Sequence, residues 1–374
     1  MVLTRARVAV AVALGGAIVV AVAGGMSSES TGASAVRTYY IAADEVAWDY
    51  APQQRNMITG TRFGPDAGVF VRRGRNRIGH VYLKSVFRRY TDRTFRHRMP
   101  VPPRWRHLGL LGPAIEAEVG DTIRVVFRNH TRLPTSMHPH GVLYAKDSEG
   151  ALYDDGTSRA DKRDDRVGPG QTHTYVWKVP ERAGPAAHDD SSVAWMYHGH
   201  VSEVADTYTG LMGPLIVTRK GMARPDGSPI DVDREIFSLF MVLDENQSPY
   251  LARNVRRYAR APRSVDVDDE DFQESNLMHS INGYVYGNGP RITLRQGERV
   301  RWYTMGMGTE VDLHTPHWHG NTVTEMGHRT DVVSLLPASM AMVDMQPDAP
   351  GIWLFHCHVN DHILAGMSTR YEVR

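Results

Sequence analysis

His356-Cys357-His358-Val359-Asn360-Asp361-His362, followed by Gly366-Met367, is the stretch from which the organisation of the chain can be read. It comes directly after Gly351-Ile352-Trp353-Leu354-Phe355, a short aromatic and β-branched segment behind Pro350 that predicts a buried strand. Side chains alternate along a strand, so His356 and His358 face one way and Cys357 the other. One strand can then serve two metal sites, back to back. Cys357 is the only cysteine among 374 residues, so it has no intrachain disulfide partner and must be explained by its thiol chemistry.

A thiolate, two imidazoles and a weak axial thioether make the trigonal blue-copper electron-transfer site. Cys357, His362 and Met367 supply three of those four donors in order. A lone buried cysteine is more often a small hydrophobe, but here Cys, three His and Met arrive together at copper-site spacing. A single cysteine also cannot make the usual multi-cysteine structural zinc site.

Working outward, the chain repeats itself. Gly112-Pro113-Ala114-Ile115 with Gly120-Asp121-Thr122-Ile123 is echoed by Gly289-Pro290-Arg291-Ile292 with Gly297-Glu298-Arg299-Val300. His138-Pro139-His140-Gly141 returns as His317-Trp318-His319-Gly320, and His198-Gly199-His200-Val201 as His356-Cys357-His358-Val359. The echoes keep their order, so one module is present twice. Short strands with turn signals are expected at Val36 to Ala43 with a closing tail at Trp48-Asp49-Tyr50-Ala51-Pro52, Ile115 to Asn129 with a break at Gly120-Asp121, Thr172 to Val179, Ser192 to Tyr197 and Gly213 to Thr218. The fold class is therefore all-β, two Greek-key β-sandwich domains with few and short helices. The boundaries read 37–220 for the first domain, 221–233 for a polar joint carrying Pro225, Asp226-Gly227 and Pro229, and 234–374 for the second. At the positions of His314, Cys357, His362 and Met367 the first copy has Thr135, Gly199, Val204 and Leu211, none of which replaces a copper ligand.

The length allows two or three domains, and a net charge of +1 gives no general pull toward nucleic acid. Arg72 to Arg106 is dense in arginine with Asp92 as its only acid, and with no nucleic-acid motif beside it the stretch reads as a solvated loop. Arg5 and Arg7 precede the apolar run Val8 to Ala23, with Ala21-Val22-Ala23 as a small-residue cleavage site. Residues 1–25 are expected to be a secretory signal peptide and 26–36 a linker, with an N-terminal membrane anchor as the alternative. No lipobox cysteine is present, and Ala6 separates the two arginines, so no twin-arginine signal stands there.

Eight histidines fall in four His-x-His pairs, 138/140, 198/200, 317/319 and 356/358. Period-two spacing puts each pair on one strand face, and eight converging imidazoles suit three ions better than one. Cys357 would pass single electrons from an outside donor to coppers held by its neighbours His356 and His358. Reduction of O₂ to two waters takes four electrons, which four coppers can store.

At these residues the chain resembles a multicopper oxidase built from two cupredoxin domains. The resemblance implies type 1 copper on His314, Cys357, His362 and Met367. It implies type 2 copper on His138 and His317, and a type 3 pair on His140, His198, His200, His319, His356 and His358, making four coppers per active unit. Tyr39-Tyr40-Ile41, Trp48-Asp49-Tyr50-Ala51, Asp244-Glu245-Asn246, His279-Ser280-Ile281-Asn282-Gly283-Tyr284 and Met305-Gly306-Met307-Gly308 are similar to the ceruloplasmin and hephaestin branch. That branch implies an iron site on Glu274, His279 and Asp361 beside the type 1 copper. The two-domain build, with blue copper in the second domain only, is similar to the small laccases of bacteria. It implies a homotrimer with the trinuclear cluster between subunits.

The leading expectation is thus an exported oxidase with O₂ as acceptor and a small molecule or metal ion as donor. Laccase-like oxidation of phenols and aromatic amines stands first and ferroxidase second, since hard carboxylates favour the Fe³⁺ product. A copper nitrite reductase is disfavoured because the first copy lacks type 1 ligands. A copper-storage or carrier cupredoxin, using soft Met340, Met342 and Met345, leaves the eight histidines unexplained. The acid that O₂ reduction needs is sought in Asp147, Glu149, Asp154 and Asp155, better read as a solvated loop, or in Glu203 beside the second histidine pair.

Overall fold

The computed structural model describes residues 34–374, so the expected signal peptide and most of the linker lie outside the described residues. Strands dominate, and the five α-helices among these residues are short: Pro65–Val71, Glu203–Thr209, Leu251–Tyr258, Glu270–Glu274 and Asn360–Leu364.

The strands build four sheets, two from residues up to Thr218 and two from Arg234 onward. The pairing repeats along with the sequence. Val36–Asp49 lies antiparallel to Val81–Tyr90 and parallel to Thr122–Asn129, as Arg234–Asp244 lies antiparallel to Leu277–Ile281 and parallel to Val300–Gly306. On the opposing sheets Ile115–Glu118 pairs parallel with Met212–Thr218, and Ile292–Leu294 pairs parallel with Ser368–Val373. In the same register His138 faces His198 and His317 faces His356. Each half is a pair of sheets around its own apolar filling. The first encloses Ile41, Phe127, Trp177 and Leu215, the second Phe240, Trp302, Trp318, Phe355 and Cys357. A third cluster, rich in methionine, fills the seam between the halves with Met196, Met212, Met241, Met278, Met305 and Met307. Because this shared core crosses the joint, the described residues cluster as one compact unit rather than two.

The first strand runs to Asp49, at the expected Trp48-Asp49-Tyr50-Ala51-Pro52 end, because its antiparallel partner continues to the pair Asp49–Val81. That partner lies inside the arginine-dense stretch, which is therefore not a solvated loop. It contributes the strand Val81–Tyr90, with Lys84 and Phe87 fully buried, and the 3₁₀ turn Pro103–Leu108. Met345 joins the core of the second sandwich, and Met340 and Met342 pack against the seam, a packing role rather than a storage site.

Candidate metal centres

Cys357 ends the strand Gly351–Cys357 and points into the second sandwich, while the helix Asn360–Leu364 turns the chain back. The reversal is fixed by backbone bonds: Cys357 N–H donates to Met367 O at 3.1 Å and Met367 N–H to His362 O at 2.8 Å. His314, just before the strand Pro316–Trp318 that pairs antiparallel with Gly351–Cys357, completes the group. Its Nδ1 lies 3.1 Å from His362 Nδ1 and 3.9 Å from Cys357 Sγ, and His362 Nδ1 lies 3.5 Å from the same sulfur. All three side chains are buried, as is Met367. Burial raises the Cys357 thiol, but hydrogen bonds from His314, His362 and the backbone of Thr315 and Val359 together outweigh it and bring the thiol to about 6. A thiolate is thus available near neutral pH, as a metal ligand requires.

The first copy keeps the frame without the donors. Gly199 N–H donates to Leu211 O at 2.9 Å, the counterpart of the Cys357–Met367 bond. Leu211 N–H donates to Asp206 O at 3.1 Å, so Asp206, not Val204, stands where His362 stands. The chain between is two residues longer, which turns Val204 out to 53% exposure. The Asp206 carboxylate accepts from Val201 N–H at 3.0 Å, and a Cβ on Gly199 would come within 2.9 Å of the Asp206 Cβ.

The eight paired histidines form two quartets. In the first half the ring centroids of 138, 140, 198 and 200 lie 5.1–5.6 Å apart, with His140 Nε2 3.0 Å from His198 Nε2. In the second half 317, 319, 356 and 358 lie 4.6–5.5 Å apart, with His319 Nε2 3.1 Å from His356 Nε2. Gly141 and Gly320, both at positive φ, let the following turn close onto a tryptophan. A Cβ there would lie 2.3 Å from the ring of Trp195 or Trp353. Among the described residues no ring of one quartet stacks on or hydrogen-bonds to a ring of the other. The second quartet instead opens onto a surface depression of about 360 Å³ lined by His317, His319 and Asp331, with no residue of the first half.

These donors fit copper. His138 Nδ1–H donates to Glu149 O at 2.7 Å, His198 to Gly199 O at 3.0 Å and His356 to Cys357 O at 2.6 Å, so in each Nε2 is the nitrogen left to bind an ion, and those of His198 and His356 converge on the Nε2 of a second imidazole. Burial lowers His198 to about 3 and His140 to about 4, keeping both rings neutral. The buried Nδ1 of His317 has no hydrogen-bond partner among the described residues. Soft sulfur with imidazole in one group and imidazole alone in the others is a copper donor set.

Of the iron-site residues, His279 is buried and its ring packs 5.3 Å from that of His362, with Nδ1–H donated to Leu277 O at 3.0 Å. Glu274, at the end of Glu270–Glu274, and Asp361, in the first turn of Asn360–Leu364, are exposed. Among the described residues only His314/Cys357/His362 and His317/His319/His356 bring three donors within 4.8 Å, so the three iron-site residues are not drawn together. Of the acids sought near the histidines, Glu203 lies 3.3 Å from His200 Nε2. Asp155 is tied to Lys146 and Lys162, as in a solvated salt-bridged loop, and Glu149 also pairs with Lys146. Asp147 and Asp154 make no contact with a histidine of either quartet among the described residues. Asp312 was missed: wholly buried, it holds His314 Nε2 at 3.1 Å. Its position two residues before a ligand histidine was the available signal.

Two sandwiches of this topology, one of them closing a thiolate pocket at the end of a strand, define the cupredoxin class. The chain belongs to the multicopper oxidase family. Models described as multicopper oxidase match residues 108–221 and 257–374. Ferroxidase HEPHL1 of Homo sapiens is 48% identical over 340 residues, covering 90% of this chain and 29% of that protein. Ceruloplasmin of Rattus norvegicus is 43% identical over 342 residues, covering 90% of this chain and 32% of that protein. The chain thus spans about a third of the length of these relatives. Among solved structures, Multicopper Oxidase mgLAC shares the fold with a TM-score of 0.57 at 21% identity, covering 90% of this chain and 86% of that one.

Proposed function

We propose that the chain is an exported copper oxidase that takes single electrons from Fe²⁺ and reduces O₂ to water, working as a ring of three copies. His314, Cys357, His362 and Met367 hold the type 1 copper, His138 and His317 the type 2, and His140, His198, His200, His319, His356 and His358 the type 3 pair. When bound, the four coppers supply the one-electron steps and the four-electron capacity that O₂ reduction needs. The residues supply the rest. The second core shields Cys357 from water, Asp312 orients His314, and Glu203 beside His200 can hold a proton at the histidine array.

The separation of the two quartets carries this reading. Each is half of a ligand set, and the second faces an open depression. In a closed heterologous ring the first quartet of one copy meets the second quartet of the next. Support for export is the Arg5 to Ala23 leader.

For the donor, Asp312 caps the outward nitrogen of His314, which leaves His362 as the ring on the electron route to the surface. His279 packs on His362, and Glu274 and Asp361 are exposed nearby in sequence to offer hard oxygen to a cation. The 48% identity with Ferroxidase HEPHL1 of Homo sapiens supports the same reading. Phenols and aromatic amines remain the second reading, favoured by Leu364, an apolar side chain 71% exposed two residues after His362.

Steady-state O₂ uptake by the copper-loaded protein with Fe²⁺ and with 2,6-dimethoxyphenol, for wild type and Asp361→Ala, separates the readings. Fe²⁺ turnover above phenol turnover, lost selectively in the variant, is the expected result. Dominant phenol turnover with Fe²⁺ oxidation unchanged in the variant would replace the ferroxidase by the laccase reading. No uptake with either donor would end the oxidase reading.

A further inference from the structure

The arginine-dense stretch is the sequence feature that the copper centres leave unused. It folds into one wall of a cavity of about 680 Å³ at the seam between the halves. The floor is aromatic and apolar, with Trp48, Phe87 and Leu111 from the first half and Tyr284 from the second. Trp48 and Tyr284 lie 5.0 Å apart between ring centroids, and Trp48 Nε1–H donates to Gly283 O at 2.6 Å, so the floor is held from both sides. The lip is the proline-stiffened peptide around Val101, which is 55% exposed.

The charges on this cavity do not balance. Six arginines line it, against the acids Glu116 and Asp226. Arg37 is paired with Asp121, Arg98 with Asp44 and Arg104 with Asp226. Burial and the neighbouring Glu235 hold Glu116 well above the usual carboxyl range, which weakens it as a counter-charge. Arg88, Arg89 and Arg106 have no carboxylate partner among the described residues. Arg88 Nη1 donates only to the carbonyls of Phe87 and Leu111, at 3.0 and 3.3 Å. Burial and the adjacent Arg98 both press its guanidinium toward losing charge. Arg89 lies over the Tyr39 ring, 4.7 Å from its centroid. Half-buried cations without counter-charge are costly, and a concave apolar site with a few convergent polar groups is how ligand sites are built. On the strand Val81–Tyr90 Arg88 and Arg89 take opposite faces, and Arg88, bonded to Leu111 O, is the one on the seam side. An unpaired guanidinium beside aromatic walls suits a planar body that ends in a carboxylate.

We propose that this cavity binds an aromatic carboxylate, its anion held by Arg88 and its ring seated on Trp48 and Tyr284. No copper ligand lines the cavity, so the site stands apart from the oxidase reading.

Calorimetric titration of the copper-loaded full chain with 2-naphthoate tests this, with 2-naphthylmethanol and inorganic phosphate as controls. The acid is expected to bind one per chain and about tenfold tighter than the alcohol, the margin of a charge-assisted hydrogen bond. Phosphate should not displace it. Arg88→Gln should weaken the acid and leave the alcohol unchanged, and Val101→Glu, on the exposed lip where folding is not at risk, should also weaken the acid. No binding, equal affinity for acid and alcohol, displacement by phosphate at matched concentration, or unchanged affinity in Val101→Glu would each overturn the proposal.

Discussion

His314 Nε2 sits 3.1 Å from the Asp312 carboxylate, and both side chains are wholly buried. The carboxylate is fixed in turn by the backbone N–H groups of Val242 at 2.7 Å and Thr309 at 2.8 Å. A hydrogen bond to one imidazole nitrogen decides what the other can do, so Nδ1 is left facing Cys357 and His362.

Asp312→Asn removes the negative charge but keeps the shape. It should lower copper affinity at the thiolate centre by about 10–100-fold, the usual weight of a group that orients a metal-bound histidine. Copper titration followed by the blue thiolate absorption checks this. Unchanged affinity would show that Asp312 orients nothing.

Lys84 and Glu245 form an ion pair with no exposed surface, and Lys84 Nζ also donates to Tyr50 Oη at 2.9 Å and Tyr208 O at 2.8 Å. Lys84 comes from the first half and Glu245 from the second, so the pair pins the seam. Lys84→Ala strands a carboxylate in the core and should cost about 3–5 kcal/mol. Urea unfolding should show a lower midpoint for Lys84→Ala, with the double variant Lys84→Met, Glu245→Gln closer to wild type. Equal midpoints for wild type and Lys84→Ala would mean the pair is idle.

Glu116 and Glu235 face each other across the same seam, and burial pushes both up, Glu116 further through the charge of Glu235. A carboxyl raised in the folded state binds its proton more tightly there than in the unfolded chain. Its stabilising contribution is whole below the ordinary value of 4.5 and is lost as pH rises toward the raised one. Glu116→Gln should therefore stabilise the protein at pH 8, by roughly 1–3 kcal/mol, and do little at pH 4. Thermal unfolding at the two pH values measures this, and equal shifts at both would contradict it.

The histidine pairs were legible because strand alternation is a local rule, and it puts 138/140 and 317/319 on single faces wherever the strands end up. The doubled topology was legible through the repeated motifs. What escaped depends on contacts distant in sequence. Trp48 reaches Gly283 and Lys84 reaches Glu245, and no periodicity announces either. The segments similar to the ceruloplasmin branch, at Trp48, Tyr50, Glu245 and Gly283, gather at this seam, so they carry packing as well as resemblance. Val204 was misaligned with His362 because spacing alone counts residues, whereas the backbone bond from Leu211 to Asp206 absorbs two extra ones. The arginines read as solvated because their density was visible in the sequence and the aromatic floor beneath them was not.

The claim that each histidine quartet is half of a cluster completed by another copy is tested most directly by co-expressing His140→Ala with His319→Ala. Each variant alone damages every interface and should consume no O₂. With random assembly about one interface in four, counted over all rings, joins two intact quartets, so the mixture should recover about a quarter of wild-type uptake. A mixture as inactive as either parent would mean that the quartets do not complete one another across copies.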